Sequence, residues 1–443
     1  MLSPSDADLA RRDPTLPGLA TLLDPEAFAA ALRPVLPDAS ATAVRITYAR
    51  YKPTKSCVVG YQLRGTGAAV DLYAKAHPVG GASRRAREGS TVPTPPGRGR
   101  IILEDGAIVV SVFPTDGKLK PLRRLADPET RRRLVRKLVR DRPDLWSGTV
   151  RNLRYMPERR YVGQLLTGDS PAAVLKLYTE RGYSMAQRNV NAFRSDGPLR
   201  VARCIGQLAS FRILLLEWLA GRLLSEAISD PELELPAMLM VGAALAHLHA
   251  QEPEGLVCLT REHETATLSS LFANLRFVCP HVASRFGQLF RRLASDLQQS
   301  PPVNQPIHGD FCAKQVLLGD NTVAILDFDR SVRSDPAADL GLFIAHLERD
   351  ALYGTLRASG VERLREALLE GYRAATRRPV PVRVPLYVAV GLVRLAPDPF
   401  RYRESDWPER TEAILGRAEA LLEGAAADTG GIPPGKFGLL HGD

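Results

Sequence analysis

His308-Gly309-Asp310 is followed five residues after the Asp by Gln315, and twelve residues further on by Asp327-Phe328-Asp329. In IHGDFCAKQVLLGDNTVAILDFD an apolar strand end leads into a polar loop and then a two-strand hairpin turning at Gly319-Asp320-Asn321. A second apolar strand then delivers two carboxylates. One carboxylate so placed can accept the proton of a hydroxyl, while further oxygen ligands hold Mg²⁺ against phosphate groups. Transfer of a phosphoryl group from ATP needs both. Each residue taken alone also fits a buried His-Gly-Asp turn with surface acids on a hairpin, but that reading leaves the joint spacing unaccounted for.

The pattern H-G-D, four residues, an amide and then D-x-D resembles the catalytic segment of the aminoglycoside phosphotransferase and choline kinase family, distant relatives of the protein kinases. The resemblance implies Asp310 as the base, Asp327 as the principal Mg²⁺ ligand, Gln315 and Asp329 as further ligands, and ATP with Mg²⁺ as cofactors. Gln315 departs from the usual Asn of that family. An amide oxygen one methylene longer still reaches a metal, and bacterial maltokinases, a branch of the family, resemble this chain in using Gln.

An internal repeat supplies the elements that position these groups. Arg50-Tyr51-Lys52-Pro53 matches Arg154-Tyr155-Met156-Pro157 at an offset of 104, and Lys75 in DLYAK falls on Lys176 in AAVLK at an offset of 101. Each copy, within residues 45–228, reads as strand, turn, strand with a central Lys, helix and two more strands. That is the plan of a kinase N-lobe, whose third strand aims a lysine at the ATP phosphates. The second copy runs into the catalytic half, so Lys176 is the expected phosphate lysine. The run RILLLEWLAGR at 212–222 resembles the family's hinge between lobes, which implies adenine contacts from the backbone of Glu217 and Leu219. Family members pair the strand lysine with a Glu on the next helix, yet the helical run 185–191 carries no acid; Glu88 stands in the first copy where Asn189 stands in the second. Either Lys176 has another partner, or the first copy is more than scaffolding.

The remaining composition narrows the class. At 443 residues the chain exceeds one ordinary core, which predicts two or three domains. The N-terminal stretch has early acids and no apolar run, and Leu235–Gln251 contains Pro236 and two histidines, so neither a secretory signal nor a membrane span is expected. Five scattered cysteines without CxxC spacing predict reduced thiols in a cytoplasmic protein, and the position of Cys312 inside the catalytic loop raises the question of reactivity. The net charge of +10 invites a nucleic-acid reading. Its densest run, residues 131–140, instead places Leu134, Val135, Leu138 and Val139 on one helical face with the arginines on the solvated side.

From Leu235 onward the pattern is helical. Asp335-Pro336 reads as a helix start, and the resemblance makes Asp339 a buttress of the catalytic loop. His247 and His249 read as satisfied polar groups. Pro399-Phe400-Arg401 and Trp407 either pack a helix corner or line an acceptor pocket.

The expected fold is α+β and bilobal, protein-kinase-like, with an additional N-terminal N-lobe-like or cap domain and a mainly helical C-lobe. The divisions are 1–145 (cap or duplicated lobe), 146–222 (ATP lobe), 223–430 (catalytic lobe) and a tail, 431–443. The expected activity is ATP-dependent phosphorylation of a small-molecule hydroxyl acceptor, with a sugar-like acceptor first and an antibiotic second. A nucleotide-binding pseudokinase scaffold is the reading from another class. No nucleic-acid or membrane partner is expected, and the oligomeric state is left open.

Overall fold

The computed structural model describes residues 2–35, 43–64, 69–78, 100–103, 107–228, 234–376 and 379–429. Glu88, the proline-rich stretch from Thr91 and the tail from Gly430 lie outside the described residues.

Helix α1 (Pro4–Arg12) leads into two successive units of one plan. The first has α2 (Leu19–Leu23), α3 (Pro25–Leu32) and strands β1 (Ala43–Lys52), β2 (Ser56–Arg64), β3 (Val70–Ala76), β4 (Arg100–Leu103) and β5 (Ile108–Val112). The second has α4 (Leu122–Ala126), α5 (Pro128–Leu138), β6 (Thr149–Met156), β7 (Arg160–Thr167), β8 (Ser170–Tyr178), α6 (Glu180–Asn189), β9 (Leu199–Val201), β10 (Cys204–Leu208) and β11 (Ile213–Glu217). The sheets are ordered β1-β2-β3-β5-β4 and β6-β7-β8-β11-β10, so corresponding strands occupy corresponding places.

The duplication starts well before residue 45, at Asp13. Asp24 caps α3 by accepting the amides of Glu26 and Ala27, and Asp127 caps α5 by accepting that of Thr130, each with a proline at the first helical turn. Asp13 Oδ2 accepts from the Tyr51 hydroxyl at 2.6 Å and the Thr54 amide at 2.9 Å. Asp116 Oδ2 does the same for the Tyr155 hydroxyl and the Glu158 amide, both at 2.9 Å. Thr54 and Glu158 hold left-handed backbone at φ 59° and 56°, and the aspartate behind each hairpin tip satisfies the amide exposed by that turn. The run 131–140 behaves as its pattern requires: Leu134, Val135 and Leu138 are buried with the second sheet in one apolar cluster.

The helical half contains β12 (Arg222–Leu223), α7 (Leu224–Ala227), α8 (Glu234–His249), α9 (Arg261–Val278), α10 (Pro280–Gln299), β13 (Gln305–Ile307), β14 (Val316–Leu318), β15 (Val323–Ile325) and β16 (Val332–Ser334). It closes with α11 (Ala337–Leu352), α12 (Ala358–Thr376), α13 (Val384–Leu395), α14 (Asp398–Arg401) and α15 (Trp407–Thr429). The hairpin turns where expected, with the Gly319 amide donating to the Thr322 carbonyl at 2.9 Å. Strand β9 crosses from the second unit to pair in parallel with β15, fastening the two lobes. The core of the first unit runs without a break into that of the helical half, through residues such as Phe400 and Trp407. Among the described residues no helix is long and apolar enough to cross a membrane.

Candidate active site

Strand β13 ends at Ile307 and hands the chain to His308, whose imidazole is buried. Its Nε2 lies 2.8 Å from the Leu326 carbonyl, and the Asp310 amide donates to its Nδ1 at 3.2 Å. A carbonyl only accepts, so Nε2 carries the proton and Nδ1 is free to accept. One neutral ring thus ties the loop bearing Asp310 to the strand end bearing Asp327. Asp339 holds this arrangement from below: Oδ2 accepts the His308 amide at 2.6 Å, Oδ1 the Gly309 amide at 2.8 Å, and His249 Nε2 lies 3.0 Å from Oδ2. Burial works to raise the Asp339 carboxyl, but the hydrogen bond and charge of His249 outweigh it and keep it below the ordinary value. Gly309 sits at φ +79°, where an added Cβ would run into the Arg330 carbonyl, so no other residue fits this bend without strain.

Asp327 follows β15 in left-handed backbone, φ 72°, and Asp329 lies in the short 3₁₀ turn after it. For a non-glycine residue that conformation is sparsely populated and marks a constrained position. Three side chains converge on the two carboxylates. Lys176 Nζ is 2.8 Å from Asp327 Oδ1 and 3.5 Å from Asp329. Arg160 Nη1 contacts Asp327 at 2.8 Å and Asp329 at 2.7 Å, and the Tyr178 hydroxyl donates to Asp329 at 3.0 Å. Burial opposes ionisation of Asp327, yet Lys176 and Arg160 hold its carboxyl far below the usual range. For Lys176 burial likewise works downward, and Asp327 and Asp329 overcome it, so the lysine stays charged.

The missing helix Glu therefore has a replacement. Lys176 pairs directly with the DFD segment, and α6 docks there through Asn189, whose Nδ2 donates to the Ser331 carbonyl at 2.9 Å and the Phe328 carbonyl at 3.2 Å.

A carboxylate held in a loop, a lysine paired with two further carboxylates and the junction of two lobes beside them are the kinds of group that phosphoryl transfer uses. The sequence profile described as the phosphotransferase enzyme family (APH) matches residues 161–382, half of the chain. The chain belongs to this family. No curated protein matches it by sequence. Among solved structures it is similar to a choline kinase from Cryptosporidium parvum Iowa II, at 12% identity and TM-score 0.50, over 69% of this chain and 97% of that one. It also resembles a choline/ethanolamine kinase family protein from Mesorhizobium loti, at 16% identity and TM-score 0.42, over 62% and 89%. A thermostable aminoglycoside phosphotransferase in complex with ADP and hygromycin B aligns at 15% identity and TM-score 0.45, over 64% and 97%. The kinase-like fold is thus shared, with a helical C-terminal half.

The remaining expected site residues of this phosphotransferase sit around the same junction. The Gln315 carbonyl accepts the Leu326 amide at 2.8 Å, which sets Gln315 beside the approach to Asp327. The three oxygen-bearing side chains Gln315, Asp327 and Asp329 suit a hard divalent cation, and the two carboxylates already converge on one Arg160 nitrogen, so they are close enough to share an ion. Glu217 ends β11 with its amide donating to the Arg203 carbonyl at 2.9 Å and its carboxylate paired to Arg203, and Leu219 lies in the segment leading to β12. Cys312 is buried, and burial pushes its thiol up to about 11, so it packs rather than reacts.

Lys75 and Arg160 carry roles that the sequence did not disclose. Lys75 is buried and bonds Glu158 at 2.7 Å and 3.0 Å. It reaches across to the second unit's hairpin tip. Arg160 had a signal: it stands opposite Tyr178 in the β7-β8 register, two residues along from Lys176, so strand alternation puts all three on one face.

Proposed function

We propose that this phosphotransferase moves the γ-phosphoryl group of ATP onto a hydroxyl of a small molecule, with Asp310 as the base that accepts the hydroxyl proton. The observation that carries the proposal is the His308 ring, which bonds the Asp310 amide on one side and the Leu326 carbonyl on the other. It fixes the base against the carboxylate-bearing turn, and positioning of this kind is the main source of rate in phosphoryl transfer.

Lys176 neutralises phosphate charge from β8. Asp327, Asp329 and Gln315 would hold Mg²⁺, which when bound screens the phosphate oxygens. With the Glu217 amide already engaged by Arg203, the Glu217 carbonyl and the Leu219 amide are the groups left for adenine. The hairpin tip between β6 and β7 overhangs the phosphate side, held by Asp116 and Lys75. A sugar-like hydroxyl compound is the first acceptor class, on the strength of Gln315 and the duplicated N-terminal unit. We place the reaction in the cytoplasm, where ATP is supplied and unpaired cysteines persist.

The test is Asp310→Asn, assayed for ADP release and for nucleotide binding. Transfer should fall by about 10²–10⁴-fold, the usual worth of a general base, with ATP affinity retained. Asp327→Asn should instead lose Mg²⁺-dependent nucleotide binding. Wild-type turnover in Asp310→Asn removes the proposal.

A further inference from the structure

Arg160 opens β7, and its Nη1 lies 2.8 Å and 2.9 Å from the two oxygens of Asp327 and 2.7 Å from Asp329 Oδ2. The other Asp329 oxygen accepts from the Tyr178 hydroxyl at 3.0 Å, and Lys176 Nζ shares Asp327 Oδ1 at 2.8 Å. All four carboxylate oxygens expected to meet Mg²⁺ are thus engaged by donors of the chain itself. A nitrogen that touches three oxygens of two carboxylates stands where a shared cation would stand, and a guanidinium has no lone pair to offer a metal. Mg²⁺ takes its oxygens at about 2.1 Å, so ion and nitrogen cannot hold the same three at once. Burial works against the charge of Arg160, and Asp327 and Asp329 outweigh it, so the charge is kept. Two fixed cations on two carboxylates leave little net charge to attract a divalent ion.

The hairpin fold does not itself require an arginine here. Ser56 pairs with Lys52 in the first unit as Arg160 pairs with Met156 in the second, so Ser56 holds the corresponding place at the start of β2. That hairpin forms without a cation at this point. Arg160 is therefore particular to the unit that faces Asp327 and Asp329. Its setting is fixed from both units: two residues ahead, Lys75 of the first unit holds the Glu158 carboxylate at 2.7 Å, and Asp116 accepts the Glu158 amide at 2.9 Å.

We propose that Arg160 is a resident stand-in for the divalent cation. It closes the site at Asp327 and Asp329 to free metal, and the site admits the ion only once nucleotide phosphates offer Arg160 and Lys176 another anion. This rests on the phosphotransferase reading and deepens it by making metal entry conditional on nucleotide. Only ionic contacts are exchanged, and the phosphates supply the differential interaction that such an exchange requires.

The probe is Mn²⁺, a hard ion suited to the same oxygen ligands, whose binding to the full chain is read by electron paramagnetic resonance without turnover. Without nucleotide, Arg160→Gln should bind Mn²⁺ at least about tenfold more tightly than the wild type, the scale of one lost charged hydrogen bond. Asp327→Asn added to Arg160→Gln should abolish that gain, and Arg160→Lys, which keeps the charge, should preserve most of the block. Loss of a merely structural contact would weaken binding and could not create it. Arg160→Ser, which copies the first unit, is the second variant, and binding of a non-hydrolysable ATP analogue checks that each variant folds. With that analogue present, the wild type should hold Mn²⁺ in a ternary complex. If the nucleotide-free wild type binds Mn²⁺ as tightly as Arg160→Gln and Arg160→Ser, the inference is overturned and the kinase reading stands. If the wild type retains neither the analogue nor Mn²⁺ when both are supplied, the underlying reading fails and takes the inference with it.

Discussion

Lys75 and Glu158 form a buried ion pair that joins the third strand of the first unit to the hairpin tip of the second, at 2.7 Å. Lys75 occupies the place that Lys176 holds in the second unit, so corresponding lysines take different partners: Lys75 grips the second unit's hairpin tip, and Lys176 pairs with Asp327. Burial works to raise the Glu158 carboxyl, but Lys75, helped by Lys118 and Arg50, holds it below its ordinary 4.5. Breaking a buried pair leaves an uncompensated charge, so Lys75→Met should destabilise the fold by about 3 kcal/mol and raise KM for ATP. A depressed carboxyl contributes its stability above the unfolded value and loses it as pH falls through the folded one. The stability gap between wild type and Lys75→Met should therefore be full above about pH 5 and close on acidification, read from urea melts across pH. A constant gap across that range removes the pair from the account.

Arg160 is the second cation on Asp327 and Asp329, and its charge competes with any metal for the same oxygens. Arg160→Gln should lower the Mg²⁺ concentration needed for half-maximal nucleotide binding by about fivefold, roughly 1 kcal/mol, the scale of a partly exposed pair. Titrating Mg²⁺ against fluorescent-nucleotide binding reads this directly. A higher Mg²⁺ requirement would mean that Arg160 aids the phosphates instead.

The juxtaposition of His308, Asp310 and the strand end before Asp327 was legible because a hairpin of fixed length brings them together. The kinase-like duplicated lobe was legible through the Arg-Tyr-x-Pro turns and the two lysines. Its true start at Asp13 was not, since α2 and α4 share only the positions of leucines and a capping aspartate, too few to stand out in one sequence. Partners formed across units escaped for the same reason. Nothing near Lys75 in the chain points to Glu158, and nothing near Arg394 points to Asp310, because tertiary pairing leaves no periodicity. His249 illustrates a middle case: its satisfied, buried state followed from α8 being apolar, but its place under Asp339 required the fold.

Cys312 lies in the loop after His308 yet is buried, and burial, reinforced by the Asp310 charge, pushes its thiol up to about 11. At pH 8 about one in a thousand such thiols is ionised, and the thiolate is the reactive form. Iodoacetamide followed by peptide mass spectrometry should modify the exposed Cys258 first and leave Cys312 intact in the folded protein. Rapid alkylation of Cys312 with loss of activity would show that the loop opens far enough to reverse this order.

Gly309 links the two buttressed amides to the base, and its left-handed backbone leaves no space for a side chain beside the Arg330 carbonyl. Gly309→Ala would cost about 1–2 kcal/mol from backbone strain alone. The collision must also be relieved, either by displacing Arg330, which borders Asp310, or by rotating the loop away from Asp339. Both routes move the carboxylate relative to Leu326, and a shift of about 1 Å in a positioned group can cost about a hundredfold in rate. Gly309→Ala should thus fold, bind ATP with near wild-type affinity and show a kcat lowered by about that factor, whereas a change in stability with kcat intact would mean that the tight bend serves folding rather than placement of the base.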